Sequence, residues 1–283
     1  MKKVIAVLPL LLVSGFMAAQ APFPTKNEIS QFSTSTTCVV LEDDPFAPFN
    51  VFIKAAMKEF WTLTPFKFID QEEFEVRMKK SDYSFIMLTE TTFDKDKSGS
   101  AFNFINLVQG KYVNRISALP EICAIPLSSG GEDDLDYGYK LGAILLFMQK
   151  HAGLIMEDPS KTGRRYLKFY NENIPAVLSR RILVKKEDLS PAIDDPEKIK
   201  AIYSGKVEIV TEEDIVKAIG ERTPGTVILH KVGPSGEAEG GYCFKMLIGT
   251  DDSNMYYYNS HTITKDDPDG LLPADLKRLA RFD

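Results

Sequence analysis

The amino-acid sequence predicts an α/β (α+β) chain of two tandem, similar two-layer domains, each a mixed sheet covered by helices. Three observations lead there. The first is a repeat: Phe66 to Phe74 reads as a short apolar strand, a helix N-cap at Asp70 and an acid three residues on, Glu73. Val207 to Ile215 reads the same way, with Thr211 and Asp214, at a constant offset of 141 residues. The first copy is close to a capping box, and Asp at the closing position makes the second a weaker version. The second observation is a set of amphipathic helices that need a sheet face to cover. The third is a run of three consecutive strands in each half, which argues for a mixed sheet and not a doubly wound parallel one. The expected division is 1–21 signal peptide, 22–36 leader or linker, 37–178 first domain and 179–283 a shorter second domain.

Taken in order, residues 22 to 36 open with Pro22-Phe23-Pro24-Thr25 and end in Ser and Thr, which reads as a leader. Thr37 to Leu41 is β-branched and apolar, hence a strand. Asp43 or Asp44 before Pro45 marks a helix start. Apolar residues at 49, 52, 53, 56, 57 and 60 then repeat at helical spacing up to Trp61. Pro65 stops that helix, Phe66 to Ile69 is the next strand, and a helix runs from Gln71 to about Lys80. Tyr83 to Thr92 and Ala101 to Gln109 are strands joined by a turn at Asp94 to Ser100, and Ile122 to Leu127 is a third. Ser128 to Gly131 breaks the meander before a long helix from about Leu135 to Met156. Arg164 to Asn173 reads as a short helix stopped by Pro175. The second half repeats the order: strand Ile182 to Val184, helix Pro196 to Tyr203, the repeated strand and helix to about Glu221, and strand Thr226 to Lys231. A Gly-rich hairpin at Gly233 to Gly241, strands Tyr242 to Ile248 and Met255 to Ser260, and a helix opening at Leu272-Pro273-Ala274-Asp275 complete it.

The start of the chain differs in kind. Lys2 and Lys3 precede an apolar run, Val4 to Phe16, and Ala19-Gln20-Ala21 supplies small residues, the order of a secretory signal peptide. Cleavage after Ala21 leaves Pro22 as the first residue, so cleavage after Ala19 is an alternative; the competing reading is a buried N-terminal helix. Export, periplasmic or extracellular, is the expectation. Without Lys2 and Lys3, 32 basic residues face 40 acidic ones, a net charge of −8. That balance argues against nucleic acid or anionic lipid as partner. Tyr139 to Met156 carries Lys140, Gln149, Lys150 and His151, so it reads as a core helix and not a membrane span.

Each candidate site is weighed against a plainer account. Asp94-x-Asp96-x-Ser98-Gly99 has the opening spacing of a calcium loop, but position twelve is Ile105 and the flanks are strands, so a hairpin turn fits better. The glycines of 233–241 lack a Gly-Lys-Ser/Thr ending and carry two acids, which excludes a phosphate loop. Ser128 to Gly131 precedes a helix, but Glu132, Asp133, Asp134 and Asp136 complement its dipole and need no ligand. Cys38 and Cys123 could meet on adjacent strands; small buried thiols are the favoured reading of all three cysteines. His151, His230 and His261 show no metal-ligand spacing, and no metal or cofactor is expected. His230 and His261 could meet at one sheet edge near Cys243, a thiol-imidazole pair without a helix N-terminus to activate the thiol. Asp251-Asp252 and Asp266 to Gly270 are ordinary acidic turns. Tyr256-Tyr257-Tyr258 is a binding candidate: on a strand with one open face, Tyr257, or Tyr256 with Tyr258, reaches the surface.

The block Val39 to Phe46, with Ile53-Lys54, Trp61 and Thr64-Pro65-Phe66, resembles one in secreted bacterial proteins of unassigned function, and that resemblance brings no catalytic residues. In element order each half resembles the small N-terminal α/β domains of TolB-like and curli-secretion-like envelope proteins. The expectation is an exported, non-enzymatic binding or assembly protein of the cell envelope, with a protein or envelope component as partner. Its contact surface would be the cleft between domains or the strand Met255 to Ser260. The alternative is an exported hydrolase using Glu42, Asp43 and Asp44 with His230 or His261.

Overall fold

The computed structural model describes residues 21–94, 96, 98–130, 136–163, 166–234 and 239–282. Nearly all of the signal segment, the acids 132–134, the tip of the Gly-rich hairpin at 235–238 and two lysines of the first hairpin turn lie outside the described residues. No helix among the described residues is long and apolar enough to cross a membrane.

Two five-stranded mixed sheets form, and their topologies are the same. In the first, β1 (Thr36–Val40) pairs in parallel with β2 (Phe66–Ile69) and with β3 (Tyr83–Thr92), and β4 (Ala101–Gln109) and β5 (Glu121–Ser129) follow antiparallel, in the order β2-β1-β3-β4-β5. In the second, β6 (Arg181–Val184) pairs in parallel with β7 (Lys206–Ile209) and β8 (Thr226–Val232), then β9 (Tyr242–Gly249) and β10 (Met255–Thr262) run antiparallel, in the order β7-β6-β8-β9-β10. The twice-written strands, β2 and β7, occupy the same edge of their sheets.

The repeated helices are α3 (Gln71–Arg77) and α7 (Glu212–Gly220). Asp70 caps the first by accepting from Glu73 N at 2.8 Å. The complete reciprocal box forms in the second copy, where Thr211 and Asp214 exchange bonds. The expected ranking is therefore reversed. Glu73 is drawn away by Arg77 one turn on and by Lys67, so it does not return to its cap. Asp70→Ala and Thr211→Ala are each expected to lower stability by about 1 kcal/mol, read as a shifted urea midpoint from the fluorescence of buried Trp61.

The halves pack by different faces. Helix α2 (Pro48–Phe60) and α4 (Leu141–Glu157) lie with α7 in one core shared by both sheets, whereas α3 packs on the opposite face of the first sheet. Helix α6 (Pro196–Lys200) and α8 (Pro273–Leu279) cover the far face of the second sheet. An aromatic cluster closes the junction: Phe93, Phe102 and Phe104 pack against Tyr242 and Phe244. The first hairpin's Asp96 accepts from Gly241 N of the second at 3.0 Å.

Three local expectations are corrected. Within the stretch read as a leader, Lys26–Ser33 form a helix, α1, held by a Thr25–Glu28 capping box, and its Ile29 and Phe32 enter the shared core. Eight residues are too few to be helical alone, so burial and not composition decides this segment. Helix α2 starts at Pro48, not Pro45, because buried Asn50 holds the preceding loop by bonding Glu42 N, Glu42 O and Asp44 O at 2.9, 2.9 and 2.7 Å. Past a short helix, α5 (Tyr166–Phe169), a 3₁₀ helix spans Tyr170–Ser179 and runs through Pro175, so the proline does not end the helical segment. The favoured reading of the cysteines holds: all three are buried free thiols, and Cys38 and Cys123 lie in different cores on opposite faces of the first sheet, so the alternative of a bond between them falls.

A candidate binding groove where the two sheets meet

Helix α3 covers only part of the α3-side face of the first sheet. Alternation sends Met87, Thr89 and Thr91 of β3, Phe104, Asn106 and Val108 of β4, and Ala124 and Pro126 of β5 to that same face. They floor an open groove of about 700 Å³. One wall is the turn carrying Ile116 and Ser117; the other is Leu167 and Lys168 of α5 with Tyr258 of β10. The volume lies within the roughly 300–1,000 Å³ of small-ligand sites.

The floor is mostly apolar, with one fixed polar pair. Asn106 is 8% exposed. Its Nδ2 donates to Thr89 Oγ1 at 2.8 Å and to Phe104 O at 3.1 Å. Burial pushes the Tyr258 phenol up to about 12, so it stays protonated and able to donate.

The ladder registers align this floor with the second sheet. Met87, Thr89, Phe104, Asn106, Ala124 and Pro126 correspond to His230, Val232, Phe244, Met246, Tyr258 and Ser260. There the matching half-face is covered by α4 and by the edge of the first sheet, and Val232, Phe244 and Met246 are buried in the shared core. The groove is thus the surface that one repeat buries and the other leaves open.

Of the tyrosine triplet, only Tyr258 reaches the groove. Tyr256 is 4% and Tyr257 0% exposed, against the expectation that one face of the triplet is open. Both faces of the second sheet are packed, and a bulge between Met255 and Tyr257 turns Tyr256 and Tyr257 into the same core. Their hydroxyls donate to Asp252 and Asp275. The strand edge is also occupied. Asn171 accepts from Tyr258 N at 2.8 Å and donates to Tyr258 O at 3.0 Å, as a neighbouring strand would, and Asn173 donates to Met255 O at 2.8 Å.

The histidines do not meet. Strand parity puts His230 on the shared-core face and His261 on the other. His230 Nε2–H donates to Pro126 O at 2.8 Å, and burial, then the Lys140 charge, push its pKa down to about 3. His151 bonds the Ile122 backbone and Tyr170 OH, and burial lowers it to about 4. Two imidazoles thereby cap outward carbonyls of edge strand β5. His261 does sit opposite Cys243 in the ladder, but its Nε2–H donates to Pro268 O at 2.9 Å. The thiol bonds Gly270 and burial raises it to about 12, so it is no nucleophile at neutral pH. Glu42, Asp43 and Asp44 form an exposed loop after β1, and Glu42 is raised by desolvation and then by Asp44. Among the described residues no three His, Cys, Asp or Glu are placed to hold a metal.

Three lysine–aspartate pairs with both side chains largely buried carried no motif in the sequence: Lys140–Asp188, Lys231–Asp269 and Lys245–Asp275, at 3.2, 2.6 and 2.5 Å. A lysine inside an apolar strand, as at Lys231 and Lys245, was the available signal, since burial there requires a partner. Asn106 and Thr89 carried no such signal; they read as ordinary strand residues. Comparisons with protein-family models, with curated proteins and with solved structures found no significant match to this chain.

Proposed function

We propose that this chain is an exported, non-enzymatic binding protein of the bacterial cell envelope, and that its ligand sits in the groove over β3, β4 and β5. The observation that carries the reading is the groove itself: an apolar half-face, buried in one repeat and open in the other, with one ordered polar pair at its centre. The basic, apolar, small-residue order of the first 21 residues supports export. The resemblance in element order to TolB-like and curli-secretion-like domains supports an envelope setting.

The hydrolase alternative gains nothing from where its residues lie. Its acids are on an exposed loop, His230 is sealed in the core, and His261 belongs to the other face. Glu90 and Glu121 line the groove, and among the described lining residues no histidine or cysteine stands beside them.

The uncharged fluorophore N-phenyl-1-naphthylamine tests the reading. It is expected to bind saturably to the native chain. Ala124→Trp, which fills the groove from a half-buried floor position, is expected to weaken binding at least tenfold with an unchanged circular dichroism spectrum. Absence of saturable binding, or equal binding by the folded variant, overturns the proposal.

A further inference from the structure

Where the buried face carries Val232 and Met246, the groove carries Thr89 and Asn106. Solvent exposure is not a sufficient reason for the change, because Asn106 is itself more than nine-tenths buried.

The hydrogen bonds give the pair a polarity. Asn106 donates through Nδ2, to Thr89 Oγ1 and to Phe104 O. That leaves the acceptor end of the amide, Oδ1, for another donor. Thr89 Oγ1 is accepting, so its own hydroxyl proton remains to be given. Side by side, then, stand one acceptor and one donor on an apolar floor. A peptide unit carries the complement, one N–H and one C=O.

We infer that the groove binds an extended, apolar peptide segment, with Asn106 Oδ1 accepting from a ligand backbone N–H and Thr89 donating to a ligand C=O. Alternate side chains of the segment lie against Met87, Phe104, Ala124 and Pro126. Three strands at about 4.8 Å spacing give a floor that spans three to four extended residues. The recognition is of a chain lying across the sheet face. It is not strand addition at β5, whose outward carbonyls at Ile122 and Pro126 are already held by His151 and His230. A helical ligand fits less well, since it offers side chains and not backbone groups to the polar pair. The inference rests on the groove being a binding site and deepens that reading to a ligand class.

The test uses the full chain and a fluorescein-labelled hexapeptide of alternating Leu and Ser, followed by anisotropy. Thr89→Val and Asn106→Met install the residues of the buried counterpart face. Each is expected to weaken the peptide at least tenfold with an unchanged circular dichroism spectrum. Replacing the peptide N–H groups by ester oxygens should weaken binding to the native chain about tenfold and leave binding to Asn106→Met unchanged. Fluorophore binding without peptide binding, or peptide binding indifferent to both variants, overturns the peptide inference and leaves the groove reading standing. Failure of both probes removes both.

Discussion

Asp275→Ala is expected to lower folding stability by about 4–5 kcal/mol. Asp275 is 1% exposed and faces Lys245, which is 0% exposed. Its carboxylate also accepts from Tyr257 OH, from Asn259 Nδ2 at 2.9 Å and from Leu272 N at 2.9 Å. Burial alone would raise its pKa; Lys245, Tyr257 and the Leu272 amide together hold it below the usual carboxylate range. Truncation strands a buried ammonium and three further donors. A domain of ordinary stability has only about 5–15 kcal/mol in hand, so the variant sits near its folding threshold at neutral pH. Lys245→Met is expected to lose less, because Asp275 keeps three donors. Urea titration followed by Trp61 fluorescence measures both, and a loss under about 1 kcal/mol for Asp275→Ala would show that the pair is not the keystone of this face.

Acid is expected to unfold the protein through two histidines before it reaches most carboxylates. His151 and His230 are buried as neutral rings with pKa values lowered to about 4 and about 3. In the unfolded chain both titrate near 6.5. The unfolded state therefore binds more protons below that pH, and stability falls as pH drops from 6.5. Each histidine is expected to remove about 2.5 kcal/mol by pH 4.5, together about 5 kcal/mol. Asp275 contributes nothing in this window: its pKa is lowered, so its contribution is lost only as pH falls through the unfolded carboxylate value and below. The double variant His151→Gln, His230→Gln keeps a donor for each β5 carbonyl and removes the titration. Its stability should fall much less between pH 6.5 and 4.5, the remaining loss coming from His261, which burial also holds below the usual imidazole value. A native chain whose profile matches that of the double variant would mean the two rings are charged or solvated in the fold.

Much of the architecture was legible from local signals. The 141-residue repeat placed β2 and β7 at matching edges, because a cap residue after a short apolar run is a signal readable within nine residues. The meander of three strands in each half followed from apolar runs broken by Gly-rich or Asp-rich turns. The groove was not legible. Thr89 and Asn106 are 17 residues apart and meet only through the β3–β4 register. The tyrosine triplet misled because alternation assumes an unbulged strand with one free face, and β10 has neither.

By itself, then, the chain determined its elements and the fact that they occur twice, since capping, periodicity and turn chemistry act over a few residues. Only the tertiary structure decided which faces those two copies would bury. The same half-face is covered by α4 and the edge of the first sheet in one repeat and is left open as the groove in the other. That choice is made by long-range packing of Phe93, Phe102 and Phe104 on Tyr242 and Phe244, contacts between residues more than a hundred positions apart that no local pattern encodes.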